Sequence, residues 1–93
     1  MTRTRNIRIV VEYDGTSLYG WQLQKDKPTV QGGLQRAVQE IEGRKVLVIG
    51  AGRTDAGVHA EGQVANFHTR SPIPSRKWPE ALNAHLPDQI AVV

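Results

Sequence analysis

Asp55 is the residue in this sequence best equipped to do chemistry. It stands in the run Gly50-Ala51-Gly52-Arg53-Thr54-Asp55-Ala56-Gly57-Val58-His59-Ala60. Glycines let a backbone turn tightly and let a ligand come close. An ionised aspartate can serve as a nucleophile in covalent catalysis. Arg53, two residues away, can keep that carboxylate ionised or grip a phosphate. On residue types alone a second reading stays open, in which Asp55 is a turn or cap residue paired with Arg53. Two common phosphate loops are excluded. Gly50 and Gly52 are spaced like the start of a dinucleotide fingerprint, but position 55 is a carboxylate where the third glycine belongs, and it would repel a pyrophosphate. No Gly-Lys-Ser/Thr follows, so the P-loop fails too. Asp55, His59, Glu61 and His68 include metal-ligating types, but Asp-x-x-x-His is a poor metal signal, and no metal is expected.

The elements that must position Asp55 can be read on both sides of it. Ile7, Ile9, Val11 and Tyr13 alternate with Arg8, Val10 and Glu12, the period of a half-buried strand. Asp14-Gly15-Thr16 breaks it with turn chemistry, and residues 17–28, with Tyr19 and Trp21, read as a loop. Val30, Leu34, Val38 and Ile41 then form one helical stripe, with Thr29 as N-cap and Gly43 as stop. Gly32 and Gly33 weaken that helix by up to about 1 kcal/mol each, which predicts a close approach there, such as another backbone. Residues 46–49 are wholly apolar and predict a buried strand. Residues 64–68 alternate again. Ser75 can cap a second helix carrying Trp78, Leu82 and His85 or Leu86, with Pro79 tolerated near its first turn. Residues 89–93 begin a last strand. The order strand, helix, strand, strand, helix, strand predicts an α/β (α+β) domain of the ferredoxin-like, split βαβ type, an antiparallel sheet with two helices on one face.

The chain has 93 residues, enough for one small domain with a thin margin of burial. It has no cysteine, which removes disulfides and thiolate metal sites. No apolar run approaches the roughly 20 residues of a membrane helix, and no apolar stretch follows the arginines near the start as a signal peptide would require. The default is a soluble cytoplasmic protein. The net charge of +3 permits an anionic partner without demanding one. Arg3, Arg5 and Arg8 could meet phosphates or simply solubilise a frayed terminus. Tyr19 and Trp21 could stack on bases or pack in the core. The sequence stops inside the apolar run Ile90-Ala91-Val92-Val93, which fits a truncation.

The string Arg53-Thr54-Asp55-Ala56-Gly57-Val58-His59-Ala60 closely resembles the signature of the TruA-type tRNA pseudouridine synthases. Three further stretches agree, in the same order: Glu12-Tyr13-Asp14-Gly15-Thr16 with Tyr19-Gly20-Trp21-Gln22; Thr29-Val30-Gln31 with Leu34; and Asn83-Ala84-His85-Leu86-Pro87 with Ile90. The resemblance spans nearly the whole chain.

The resemblance implies that residues 1–93 are the amino-terminal half of such an enzyme, whose other half is absent here. It implies isomerisation of uridine to pseudouridine in the anticodon stem-loop of tRNA, at positions 38–40, with no metal and no cofactor. Asp55 matches the family's catalytic aspartate, and its carboxylate attacks the ribose carbon or the uracil ring, or assists deprotonation at the sugar. Arg53, Thr54, Gly57 and His59 fall at substrate-binding positions; for Arg53, an ion pair to Asp55 is the equal alternative. A homodimer is implied for the full-length protein, and the stacking tyrosine and basic partner of the missing half imply that this piece is inactive alone. Two rival readings are a non-catalytic RNA-binding module on the same fold, which lacks the aromatic signature of RNA-recognition motifs, and a small-ligand regulatory domain, which rests on fold analogy.

Overall fold

A computed structural model describes residues 4–51 and 60–93. Strand β1 (Arg5–Tyr13) leads through a 3-10 turn (Gly15–Ser17) and a loop to helix α1 (Val30–Glu42). Strands β2 (Val48–Gly50) and β3 (Ala60–Thr69) follow. A second 3-10 turn (Ser75–Lys77), helix α2 (Trp78–Asn83) and strand β4 (Ile90–Val92) complete the order. The strands form one antiparallel sheet in the order β2–β3–β1–β4. This is the expected α+β arrangement, consistent with a ferredoxin-like fold.

The alternation in β1 sets the two faces of the sheet. Ile7, Ile9, Val11 and Tyr13 are buried together with Ala65 and Phe67 of β3, Val48 of β2 and Ile90 and Val92 of β4. Both helices cover this face: α1 contributes Val30, Leu34, Ala37 and Val38, and α2 contributes Trp78 and Leu82. The Trp78 ring meets Phe67 edge-on at 5.0 Å between centroids, a geometry aromatic pairs prefer. Arg8, Glu12, Asn66 and His68 lie on the opposite face.

Local chemistry places α1 as its sequence predicts. The Thr29 hydroxyl accepts from the Gly32 N–H, and Gly43 ends the helix in the left-handed conformation at φ 75°. The close approach at the helix glycines comes from side chains rather than another backbone. A Cβ on Gly33 would stand 2.8 Å from Ile90 Cδ1 of β4.

Three expectations are corrected. The run 46–49 is not uniformly buried: Val46 and Val48 face the core, while Leu47 is 63% and Ile49 48% exposed. The strand lies at the sheet edge with helices on one face only, so its apolar residues alternate in and out. Ser75 does not cap the second helix but opens a 3-10 turn, and α2 is only six residues long, without a side-chain cap. His85 and Leu86 lie beyond its end. β3 is twice as long as the predicted 64–68. Its pairing slips at the register shift where Val11 faces Gln63 but Glu12 faces Glu61. Gly62 is the extra residue, at φ 138°, a bulge that glycine makes possible.

Candidate active site

Asp55, Arg53, Thr54, Gly57 and His59 all lie outside the described residues. The structure does describe the two points where the chain leaves and rejoins the sheet around them. At the first, Gly50 pairs with Ala65, and the Ala51 N–H donates to the Val64 carbonyl at 2.9 Å. At the second, Ala60 pairs with Tyr13 of β1. The end of β2, the start of β3 and the end of β1 therefore form one end of the sheet, and the signature string is strung from it.

The loop after β1 is packed against this end. Trp21 is 3% exposed, and its indole closes over Gly50. A Cβ on Gly50 would sit 2.5 Å from the ring, so only glycine fits without movement. The loop is tied to the start of α1: Val30 N–H donates to Gly20 C=O at 3.1 Å, and Gln31 N–H to Trp21 C=O at 2.9 Å. The Gln31 side chain continues the connection. Its amide nitrogen donates to Val48 C=O at 2.8 Å, and its amide oxygen accepts from Leu23 N–H at 2.9 Å. One turn on, Gln35 accepts from Val48 N–H at 3.1 Å. Both outward-facing backbone groups of Val48 are thus satisfied by helix side chains.

Other candidate binding residues resolve differently. Trp21 is a packing residue. Tyr19 is 44% exposed, with the Lys27 ammonium 4.4 Å from its ring centroid, a cation–π contact. Arg5 is used inside the fold: its guanidinium donates to the carbonyls of Ser71 and Ile73 at 2.7 and 2.5 Å. Arg8 is exposed, and Arg3 lies outside the described residues. Among the described residues no cluster of His, Cys, Asp or Glu could hold a metal ion, and no helix is long and apolar enough to cross a membrane.

The opposite end of the sheet carries a carboxyl whose proton affinity is distinctly moved, that of Glu42. Burial pushes the Glu42 carboxyl up. The Thr69 hydroxyl, the N–H groups of Ser71 and Arg70 and the Arg44 guanidinium outweigh it, so its pKa lies below the ordinary 4.5. The Arg70 and Ser71 N–H groups donate to one oxygen at 2.8 and 2.9 Å, together with the Thr69 hydroxyl, and Arg44 Nε lies 2.9 Å from the other. Sequence reasoning missed this hub, the glutamine pair and a third amide, Asn83, which exchanges two 2.8 Å hydrogen bonds with Val92 of β4. Gln31 and Asn83 did stand in the strings that carry the family resemblance.

The comparisons agree with those strings. The family model described as tRNA pseudouridine synthase matches residues 9–93. The tRNA pseudouridine synthase A of Thermoanaerobacter sp. (strain X514) is 58% identical over 89 residues, covering 96% of this chain and 36% of the relative. That of Caldicellulosiruptor saccharolyticus is 53% identical over 88 residues, 95% of this chain and 36% of the relative. That of Maridesulfovibrio salexigens is 49% identical over 89 residues, 96% of this chain and 33% of the relative. The chain thus spans about a third of the length of these curated relatives. With the family model matched from β1 through β4 and the Trp21–Gly50 root inside the match, the chain belongs to the tRNA pseudouridine synthase family.

Proposed function

We propose that this chain is the amino-terminal, Asp55-bearing half of a tRNA pseudouridine synthase, and that the whole enzyme isomerises uridine in the anticodon stem-loop of tRNA. The reaction breaks the ribose–N1 bond of uridine and joins the same ribose carbon to C5; the C5 proton leaves to solvent and N1 takes up a proton, so the product is an isomer of the substrate. An ionised Asp55 supplies the negative charge this needs, as nucleophile toward ribose or uracil or as base at the sugar. Arg53, Thr54, Gly57 and His59 bind the target nucleotide. A base inside a helix must leave the stack before its ribose bond is reachable, and Arg53 is suited to holding the backbone of the extruded residue. The reaction takes no metal and no cofactor. The working enzyme is a cytoplasmic homodimer, and the isolated chain is inactive.

The observation that carries this reading is the family match across residues 9–93, which runs through the signature string around Asp55. The test is Asp55→Asn in a full-length synthase carrying this chain, assayed by tritium release from tRNA labelled at uridine C5. The substitution keeps shape and removes charge. Isomerisation is expected to vanish while tRNA affinity, which rests on basic contacts elsewhere, persists. Turnover within tenfold of wild type would remove Asp55 from the reaction. Tritium release by residues 1–93 alone would remove the need for a second half. Bound tRNA with no tritium release from the wild-type full-length protein would favour the non-catalytic RNA-binding module.

A further inference from the structure

β2 is a three-residue edge strand with a single neighbour, β3. Its last residue lies five positions before Asp55. A strand so short has little intrinsic register, and its placement depends on what holds its outer edge. Here that edge is held by Gln31 and Gln35 on consecutive turns of α1.

The two glutamines differ. The Gln35 side chain holds Val48 N–H. Gln31 touches both walls of the root from which the Asp55 segment departs. Its side chain holds Val48 C=O and Leu23 N–H, and its backbone N–H holds Trp21 C=O. The Trp21 indole is the surface that Gly50 approaches so closely that no Cβ fits between them. One residue therefore fixes the strand and the indole against each other.

We propose that Gln31 is a positioning residue for the isomerisation: by locking β2 to the Trp21 loop, it sets where the chain departs toward Asp55. This rests on the reading of Asp55 given above. The geometry of a reacting group within about 1 Å can change turnover by up to about a hundredfold. The Gln31 bond to Val48 C=O and the Gln35 bond to Val48 N–H both bear on where β2 sits along its edge.

The test uses a full-length synthase carrying this chain. Gln31→Met keeps the length and the backbone bond to Trp21 C=O but removes the side-chain bonds to Val48 C=O and Leu23 N–H; Gln35→Met removes the neighbouring edge bond and leaves both of those in place. Tritium-release kinetics, tRNA affinity and melting temperature are measured for each. Gln31→Met is expected to lower kcat about tenfold or more while the tRNA Kd moves less than about twofold. Gln35→Met, at a similar loss of melting temperature, is expected to keep kcat within about twofold. Gly50→Ala approaches the same root from the other side by displacing the indole, and is expected to lower kcat at unchanged Kd even if Gln31→Met fails to fold. Equal kcat for the two glutamine variants, or unchanged kcat for Gly50→Ala, overturns the inference while Asp55→Asn remains inactive. Turnover that survives Asp55→Asn overturns the reading of Asp55, and this inference with it.

Discussion

The two ends of the sheet are held together by different chemistry. At the far end, where β1 begins and β3 finishes, the restraints are ionic. Glu42 gathers Thr69, Arg70, Ser71 and Arg44, and Arg5 grips the carbonyls of Ser71 and Ile73. At the end from which the signature string departs, β2 and the Trp21 loop are held by neutral groups: an indole on a glycine, and the amide of Gln31. A carboxylate meant to react keeps its proton affinity only if nearby charges are few and deliberate. Neutral struts build a firm root without adding charge, while the far end, remote from chemistry, can use ions freely. The arrangement also predicts different responses to pH at the two ends.

The largest expected effect is at the neutral end. Trp21→Ala removes a buried indole over Gly50, and such truncations cost about 3–5 kcal/mol. Urea unfolding should show this loss unchanged between pH 7 and pH 4, because none of the contacts described for Trp21 titrates. A loss that shrinks in acid would show that the root is ionic after all.

At the charged end, Glu42→Ala takes the carboxylate from the Arg70 N–H, the Thr69 hydroxyl and the Arg44 guanidinium and leaves the Ser71 N–H only the Thr69 oxygen, at a cost of about 2–4 kcal/mol. Folding lowers the Glu42 pKa, so its contribution is fully present above the ordinary 4.5 and fades as pH falls through the lower folded-state value. The gap between wild type and Glu42→Gln should therefore be widest near neutrality and close below pH 4.5. A gap independent of pH would mean that the carboxylate's charge is not what holds residues 69–71.

How far each end was legible in the sequence follows the reach of its interactions. Thr29 and Gly43 gave both bounds of α1 because capping is settled within one helical turn. β1 was legible from strict alternation. The run 46–49 offered no polar residue to mark a phase, so its exposed Leu47 and Ile49 could not be told from its buried Val46 and Val48. The Glu42 hub joins positions 27 to 29 residues apart, and the Gln31 and Asn83 bonds cross between elements; no local pattern signals either. Arg53-Thr54-Asp55 was legible as a resemblance, whereas its residue types alone left a catalytic carboxylate and a turn aspartate both open.

Gly62→Ala tests whether the bulge, which lies toward the neutral end of β3, helps to set the return of the chain. The glycine sits at φ 138°, and a Cβ there would meet only Val10 Cγ1 at 3.9 Å. The cost is therefore conformational, about 1–3 kcal/mol. Full stability in the alanine variant would mean that β3 re-registers against β1, and a changed amide-exchange pattern at Glu12 and Tyr13 would report it.

The smallest expected effect on stability concerns the sheet edges, which the two ends share. The β2 edge is sealed at Val48 by Gln31 and Gln35, and the β4 edge at Val92 by Asn83, whose amide gives and takes one hydrogen bond as a neighbouring strand would. Unsealed edges recruit other chains. Asn83→Leu should cost only about 1 kcal/mol, since water can replace a part-buried amide. Its larger consequence is association: Val92 N–H and C=O become available to a second molecule. In sedimentation runs across a concentration series, the 93-residue chain bearing Asn83→Leu should gain mass more steeply than the chain with Asn83 intact. Gln35→Met should do so less, because Gln31 still occupies Val48 C=O. Equal masses for all three at every concentration would show that the edges are not where this domain associates, and would shift attention to the exposed Ile49 and Val64 on the open face of the sheet.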